Sequence, residues 1–303
     1  MFDTIVIGRG PAGLSAAIYA VRAGLSVLVV AKDDGQIAKA EKVDNYFGFA
    51  DTTSGVELQK NAMAQAARLG VTFAEGNVTA IEWDGHFHVA VADASWESVT
   101  VILATGMPKG RIRLTGLQAY EGKGVSYCAT CDGFFYRGKT VGVIGNADFA
   151  LKELHDLMPF AASIVWLTNG RPLDLSTPLS EMPEKTTLDE RPLAAVDGDG
   201  EVLRAVVFAD GSRASLDGLF IAEGTASATD FAIKLGIPTA GNAIVTDRDC
   251  KTALPGFFAA GDCTGGVLQI AVAVGEGASA GLSAAKFVRE KKTEEKATTA
   301  NRS

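Results

Sequence analysis

The sequence has few of the residues that would place it in several common classes of protein. It contains only four cysteines in 303 residues, too few for the disulfide framework of a small secreted protein. Lysine and arginine number 28 against 36 aspartates and glutamates, so the net charge is −8. Proteins that bind nucleic acid as their main partner carry clustered basic residues. We therefore expect no nucleic-acid partner.

Long apolar runs are also missing. None reaches the ~18 residues that a membrane-spanning helix needs, and no secretory leader stands before the first apolar strand. These absences predict a cytoplasmic protein with no membrane association. The chain is longer than one core usually requires, which favours two domains. Its 34 glycines suggest many tight turns or close contacts between backbone and ligand.

Two βαβ patterns organise the chain. The first is a strand at residues 3–7, a glycine turn, a helix to about Ala23 and a strand at 26–31. The second has strands at 140–144 and 163–168, with a turn and helix between them. Such units imply parallel strands with right-handed crossovers. The prediction is an α/β fold with two Rossmann-like, three-layer (ββα) nucleotide-binding domains, the second inserted in the first.

The expected domain bounds follow from these patterns. Residues 1–110 and 240–288 should form one discontinuous domain, and residues 111–239 should form a central domain. The final helix is expected to end near Val288. The polar residues 289–303 are then expected to be a flexible tail.

A dinucleotide fingerprint opens the first helix. Gly8, Gly10 and Gly13 follow a strand in the pattern G-x-G-x-x-G. The first glycine permits the tight turn, the second lets backbone approach a pyrophosphate, and the third allows close helix–strand packing. The N–H groups at the helix start can then bind the anion. Asp33 or Asp34 could bind the ribose, and a solvated turn is an equally compatible interpretation of this acidic cluster.

Two further strand ends favour a flavin. Leu103-Ala104-Thr105-Gly106 closes a strand of the first domain, and Phe257–Asp262 closes another ahead of a helix. The carboxylate of Asp262 could accept hydrogen bonds from the polyol chain of a flavin. Together with the fingerprint, these segments predict an FAD domain that the central βαβ unit interrupts.

The strongest chemical signal is the pair of cysteines in Cys128-Ala-Thr-Cys131-Asp132. This spacing allows a small, reversible disulfide, and a thiolate is the species that attacks a partner disulfide. Asp132 could exchange the proton that this reaction needs. The alternative is zinc, which requires about four ligands. No second C-x-x-C exists, so a redox pair is favoured and no metal is expected.

The order of these motifs resembles that in low-molecular-weight thioredoxin reductases, over about residues 1–288. The shared motifs include Gly8–Gly13, Gly35-Gln36, Asn45–Gly48 and the run from Cys128 to Asp132. The resemblance implies a homodimer with one FAD per subunit. It also implies that electrons pass from a donor through FAD and Cys128–Cys131 to thioredoxin or a thioredoxin-like protein. By the same likeness, Cys131 lies nearer the flavin, Cys128 attacks the partner, and Asp132 is the acid.

The resemblance also gives a set of candidate FAD-contacting residues. They come from the glycine turn, two loops of the first domain, the ends of two of its strands, and the start of the final helix. The set is Gly8, Gly10, Pro11, Ala12, Gly13, Gln36, Asn45, Ala104, Thr105, Gly106, Gly261, Asp262, Gln269, Ile270 and Ala271.

The sequence departs from the family where NADPH would bind. The central turn places Ala147 where the family has a glycine, and Phe149 where it has a small hydroxyl residue. Two adjacent arginines that grip the 2′-phosphate in the family are reduced to Arg171, which is shifted. Leu268 replaces an arginine before Gln269. Losing two or three charge-assisted hydrogen bonds weakens binding by roughly 10³-fold or more.

These departures predict a donor other than NADPH, either reduced ferredoxin or a reduced deazaflavin. Three alternatives stay open from the sequence. The protein could be an NADPH-dependent thioredoxin reductase, or a dithiol oxidase that passes electrons to oxygen. It could also be a non-enzymatic flavin redox sensor, although an acid beside an intact thiol pair argues against a passive role.

Overall fold

The computed structural model of the chain describes residues 1–106, 112–176, 178–223 and 227–300, with the backbone alone for 298–300. The chain divides into two compact units. The first comprises Met1–Pro108 with Ser227–Ser303, and the second comprises Lys109–Ala226. The predicted boundary between residues 110 and 111 lies outside the described residues.

The two predicted βαβ units are present, and the strands of each are parallel. The helices are α1 (Pro11–Arg22), α2 (Gly55–Arg68), α3 (Ala129–Asp132), α4 (Asp148–Leu157), α5 (Ala228–Lys234) and α6 (Ile270–Ala300). The strands are β1 (Phe2–Ile7), β2 (Val27–Ala31), β3 (Thr72–Glu75), β4 (Ala80–Trp83), β5 (Phe87–Ala90), β6 (Ser95–Leu103), β7 (Val125–Ser126), β8 (Thr140–Ile144), β9 (Ser163–Leu167), β10 (Thr186–Asp189), β11 (Leu193–Gly198), β12 (Leu203–Phe208), β13 (Arg213–Ser215), β14 (Gly218–Ile221), β15 (Thr239–Ala240), β16 (Ala243–Ile244) and β17 (Phe257–Ala259). Short 3-10 turns occupy Gln36–Lys39, Leu117–Tyr120, Gly133–Tyr136, Leu179–Glu181 and Asp262–Thr264.

A mixed seven-stranded sheet forms the centre of the first unit. Its order is β3-β2-β1-β6-β5-β4, and β17 pairs with β6. The strands β3, β2, β1, β6 and β17 are parallel, whereas β4 and β5 form an antiparallel extension of β6. The parallel strands are apolar along most of their length, as strands covered on both faces must be. Their carboxyl ends form the edge at which α/β proteins bind ligands.

Helices α1 and α6 pack closely against each other, and glycine makes that approach possible. A Cβ atom at Gly277 would lie 2.1 Å from the carbonyl oxygen of Ala12, and one at Gly281 would lie 2.4 Å from that of Ala16. The Ser15 hydroxyl donates to the carbonyl oxygen of Val274 at 2.7 Å. This contact fixes the N-terminal parts of both helices in one core.

The second unit contains a parallel five-stranded sheet of order β10-β9-β8-β14-β7 and a separate antiparallel sheet of β11, β12 and β13. Helix α4 connects β8 to β9 in the manner of a βαβ crossover. Both units are therefore Rossmann-type, which confirms the predicted fold class. The antiparallel sheet was not predicted from the sequence.

Two predicted bounds differ from the structure. Helix α5 packs against β15 and β16, so the first unit resumes at Ser227 rather than near residue 240. The last helix does not end near Val288 but continues to Ala300. Residues 289–300 contain no glycine or proline and are rich in Lys, Glu and Ala, which favour helix. Lys292 also donates to the Asp3 carboxylate at 2.6 Å.

Residues 301–303 of the expected tail lie outside the described residues. No helix in the described part of the chain is both long and apolar enough to span a membrane.

Candidate functional site

The first glycine turn lies at the carboxyl end of β1 and leaves the start of α1 open. A Cβ atom at Gly8 would lie 2.3 Å from the carbonyl oxygen of Ala104, and one at Gly13 would lie 1.9 Å from that of Gly8. A Cβ atom at Gly10 would meet nothing within 4 Å. Gly8 and Gly13 are thus required by packing. Gly10, the N-cap of α1, faces unfilled space.

The start of α1 offers its N–H groups to a ligand. No side chain caps the helix, Pro11 stands at its first position, and its first turn holds no acidic residue. An uncapped helix N-terminus beside open space suits a pyrophosphate. The turn therefore fits the pyrophosphate of FAD.

Two further candidate residues lie at neighbouring strand ends. Thr105 follows β6, and its Oγ1 atom is buried without a hydrogen-bond partner among the described residues. Asp262 follows β17, and partial burial raises the pKa of its carboxyl group. A buried hydroxyl without a partner and a partly desolvated carboxyl group both favour polar contacts from a ligand. These features fit the remainder of a bound flavin nucleotide.

The loop residues of the FAD set are brought together from distant parts of the chain. The Asn45 side-chain amide donates to the Gln269 side chain at 3.0 Å, although 224 residues separate them. Gln269 directly precedes Ile270 and Ala271 at the start of α6. Gln36 begins the 3-10 turn that follows β2.

The region after β2 does not present a free ribose carboxylate. Asp34 pairs with the Arg9 guanidinium at 2.7 Å, and Asp33 accepts from the Gly35 N–H at 2.9 Å. Arg9 also contacts Glu75 at 3.2 Å. Of the two acids proposed from the sequence, one forms an ion pair and the other forms a local turn.

The two close cysteines form a disulfide in the second unit. Cys128 and Cys131 are bonded, with their Cα atoms 5.3 Å apart. Cys128 is the N-cap of α3, and its Sγ atom accepts from the Cys131 N–H at 3.1 Å. Cys128 is only 2% exposed, whereas Cys131 is exposed. The two sulfurs therefore differ in access to solvent.

Ser126 orients the acid of this motif. Its hydroxyl donates to the Asp132 carboxylate at 2.7 Å and accepts from the Cys128 N–H at 3.1 Å. Ser126 is 6% exposed, so both contacts are shielded from water. Ser126 was not among the residues predicted from the sequence. A serine two positions before the first cysteine was the available signal.

Glu153 contacts the turn formed by residues 128–132, the redox turn. This residue of α4 is 1% exposed, and its Oε2 atom accepts from the Ala129 N–H at 2.7 Å. A buried acidic residue is uncommon unless it has a partner. Sequence reasoning missed it because it follows the second cysteine by 22 residues.

The second glycine turn, at the start of α4, is occupied by the protein's own chain. Asp148 stands at the first helical position, is 6% exposed, and accepts from the Ser176 N–H at 2.9 Å. The Asp174 N–H donates to the Asn146 carbonyl at 2.7 Å, and Asp174 forms an isolated β-bridge with Ala147. Residues 174–176 thus contact the turn where a pyrophosphate would have to approach.

Arg171, the arginine retained near the expected 2′-phosphate position, already has a partner. Its guanidinium pairs with the Glu223 carboxylate at 2.5 Å. Burial raises the pKa of the half-buried Glu223 carboxyl group, and Arg171 acts against that shift. A nucleotide phosphate would have to compete with this pair.

The two remaining cysteines, Cys250 and Cys263, are buried, and Cys263 directly follows Asp262. Burial raises the pKa of the Cys250 thiol to about 11 and that of the Cys263 thiol to about 12. Among the described residues, no cluster of His, Cys, Asp and Glu could hold a metal ion.

Comparison with known proteins agrees with this geometry. The family model described as pyridine nucleotide-disulphide oxidoreductase matches residues 2–277. Thioredoxin reductases of Listeria innocua and Aquifex aeolicus are each 33% identical to the chain over 308 residues, covering 96% of it and 95% of the relative.

Solved structures give the same assignment. The atypical thioredoxin reductase TRi from Desulfovibrio vulgaris Hildenborough is 40% identical, with a TM-score of 0.92 and coverage of 96% of this chain and 99% of that one. A ferredoxin-flavin thioredoxin reductase from Clostridium acetobutylicum is 28% identical, with a TM-score of 0.70 and coverage of 95% and 98%. The chain belongs to the pyridine nucleotide-disulphide oxidoreductase family, as an FAD-binding flavoenzyme of the thioredoxin reductase type.

Proposed function

We propose that this enzyme reduces the disulfide of thioredoxin or a thioredoxin-like protein through Cys128 and Cys131, with electrons from a donor other than NADPH. The observation that carries the reaction is the Cys128–Cys131 disulfide with Asp132 held beside it by Ser126. In this proposal the first unit binds FAD through the candidate residues of the α1 turn and the adjoining strand ends.

The exchange follows from the chemistry of the reduced pair. The Cys128 thiolate attacks one sulfur of the partner disulfide, and that bond breaks to leave a mixed disulfide and a partner thiolate. The leaving thiolate takes a proton, for which Asp132 is the placed acid. The Cys131 thiolate then attacks Cys128, releases the second partner thiol and restores the Cys128–Cys131 bond.

The pair must then regain two electrons and two protons before another cycle. Bound FAD supplies this chemistry, because a flavin exchanges two electrons with a disulfide. Before attack Cys128 must become accessible, since it is 2% exposed in the oxidised arrangement. Cys131, the exposed sulfur, is assigned to the exchange with the flavin.

The donor proposal depends on the contrast between the two helix starts. The α1 turn has no acid and is open at Gly10. The α4 turn carries the Asp148 carboxylate and contacts residues 174–176. A nucleotide pyrophosphate at α4 would meet a like charge and would have to displace backbone hydrogen bonds. The Arg171–Glu223 pair adds a further cost for a 2′-phosphate.

Reduced ferredoxin and a reduced deazaflavin are the proposed donors. The similarity to the ferredoxin-flavin thioredoxin reductase of Clostridium acetobutylicum supports ferredoxin, which would deliver its electrons one at a time. The family likeness also supports a homodimer, which light scattering on the FAD-loaded protein can measure.

An anaerobic donor screen tests the proposal. The FAD-loaded protein is mixed separately with NADPH, NADH, reduced ferredoxin and reduced deazaflavin, and flavin absorbance is followed with and without thioredoxin. We expect bleaching and thioredoxin reduction with one of the last two donors. Rapid bleaching by NADPH would overturn the donor proposal, and bleaching without reduction of any thioredoxin would overturn the partner proposal.

Arg171→Ala provides a structural control for the donor screen. If Arg171 serves only Glu223, its loss leaves the rate with the productive donor unchanged. A nucleotide held by Arg171 would instead show a raised KM in this variant.

A further inference from the structure

Glu153 is a buried acidic residue to which the proposed reaction gives no role. It lies on α4 and is 1% exposed. Its carboxylate accepts the Ala129 N–H, the peptide group that directly follows Cys128, at 2.7 Å. The N–H of Cys131, two residues further along the same turn, donates to the Cys128 sulfur at 3.1 Å. Glu153 and the Cys128 sulfur thus accept hydrogen bonds from two different N–H groups of the same turn.

We propose that Glu153 is a positioning residue for the redox pair, which fixes the redox turn and keeps the Cys128 thiolate from being strongly stabilised. The inference rests on the proposed redox role of the pair. The Ala129 N–H of the redox turn donates to a negatively charged acceptor, the Glu153 carboxylate, and not to the Cys128 sulfur.

The direction of the effect follows from simple electrostatics. Hydrogen bonds to a thiolate favour it, whereas a nearby carboxylate disfavours it. A dithiol whose thiolate is strongly stabilised makes a more oxidising pair, because its reduced form is favoured. A carboxylate beside Cys128 therefore keeps the pair a good reductant, which suits an enzyme that must give electrons to another disulfide.

This mechanism predicts a characteristic dependence on pH. Thiolate stabilisation contributes to the free energy of the reduced form only where the thiol is at least partly ionised. The influence of Glu153 on the disulfide equilibrium should therefore grow as the pH rises through the thiol pKa, and should vanish well below it. A purely structural role would change the equilibrium by the same factor at every pH.

Other charged side chains are described on α3 and on the elements packed against it. Asp132 lies within the turn and is held by Ser126. On α4, Lys152 and Asp156 pair with each other, and Asp148 accepts from Ser176. The remaining titratable or charged groups on the elements packed against α3 are the exposed His155 of α4, and Tyr136 and Arg137 of the following turn and its C-cap. Among these carboxylates, Glu153 accepts a hydrogen bond from the turn, and Asp132 accepts one from Ser126.

The test is a redox titration of the FAD-loaded protein with mixtures of reduced and oxidised dithiothreitol. Two electrons and two protons pass from dithiothreitol to the Cys128–Cys131 bond, which opens to two thiols while dithiothreitol closes to its cyclic disulfide. Alkylation and mass spectrometry count the free thiols. The ratio of equilibrium constants between variant and wild type cancels the titration of dithiothreitol itself.

Glu153→Gln keeps the size and the acceptor oxygen but removes the charge. We expect its equilibrium constant to favour the dithiol by roughly tenfold at about pH 9, or about 30 mV for this two-electron couple, and to match wild type near pH 6. Asp156→Asn removes the same charge from the same helix, at a residue paired with Lys152, and should match wild type throughout. Glu153→Asp keeps the charge and should also follow the wild-type pH dependence.

The outcomes separate the possibilities. A ratio that rises with pH in E153Q alone supports the proposal. An unchanged ratio, or a shift of the same size at every pH, overturns it. If E153Q does not retain FAD, E153D decides, because a pH-dependent shift in a variant that keeps the charge would also overturn it. Failure of thioredoxin reduction with an intact titration would reject the proposed partner and leave this inference standing.

Discussion

Replacing Gly10 by alanine separates the binding of FAD from the stability of the fold. Gly10 has φ −73° and ψ −175°, which alanine adopts without strain. Its added Cβ would meet no atom within 4 Å. The apoprotein should therefore keep its stability to within about 0.5 kcal/mol, as surface substitutions usually do.

FAD binding should fall sharply in the same variant. The added methyl group occupies the space through which a pyrophosphate approaches the N–H groups at the start of α1. Losing two charge-assisted hydrogen bonds of roughly 1.5–3 kcal/mol each corresponds to about 10²- to 10⁴-fold weaker binding. FAD affinity should fall while apoprotein stability is kept, because the added methyl group enters space that is open in the folded chain.

Gly13→Ala is the contrasting variant. Its Cβ would lie 1.9 Å from the Gly8 carbonyl oxygen and 2.9 Å from the Gly8 carbonyl carbon, so backbone must move. This variant should lose apoprotein stability as well as FAD affinity. The assay is thermal unfolding of both apoproteins together with titration of FAD by fluorescence quenching. Wild-type FAD affinity in G10A would refute the placement of the pyrophosphate at this turn.

Further predictions concern the redox pair, its neighbours Asp132 and Ser126, and the two buried cysteines. Cys128→Ser and Cys131→Ser should each abolish multiple-turnover reduction of the partner disulfide while the productive donor still bleaches the flavin; turnover by either variant contradicts the thiol mechanism. Asp132→Asn should lower kcat by about 10²- to 10⁴-fold, the usual range for a general acid. Ser126→Ala should lower kcat less and alter the pH–rate profile, since the acid remains but loses its 2.7 Å hydrogen bond. A wild-type pH–rate profile for S126A would exclude a role for Ser126 in orienting the acid. After the native protein has been reduced by dithiothreitol and the reagent removed, two of the four cysteines should react readily with an aromatic disulfide at about pH 8. Cys250 and Cys263 should not, because burial raises their thiol pKa to about 11 and about 12 and leaves little thiolate. Fast reaction of four thiols before unfolding would contradict that burial.

Much of the fold could be predicted from local pattern. The first βαβ unit requires an apolar strand, glycines at set positions and an alanine-rich helix, and each of these is visible in consecutive residues. The strands at 140–144 and 163–167 follow in the same way. The end of α6 was missed because a polar, charged segment without glycine or proline is compatible with both helix and coil, and the contact of Lys292 with Asp3 joins residues 289 positions apart.

The chemistry of the site was likewise predictable from the sequence only in part. The adjacency of Cys128, Cys131 and Asp132 is written in the sequence, since a C-x-x-C-D run brings these groups together in any helical turn. The supporting residues are not. Ser126 stands two positions before Cys128, but its hydrogen bonds, like that of Glu153, are seen only in the folded chain. The contact between Asn45 and Gln269 depends on folding that unites two distant loops.

The sequence by itself determined that the protein has a glycine turn of the dinucleotide-binding pattern, a C-x-x-C cysteine pair and a weakened second nucleotide motif. These features are local, so the identity and spacing of a few residues are enough to specify them. Only the tertiary structure decided that residues 174–176 cover the start of α4, that Arg171 is committed to Glu223, and that Glu153 holds the redox turn. Each of these contacts joins residues that are well separated along the chain. Whether two such groups meet is set by the packing of the whole unit and not by either residue's neighbours in sequence.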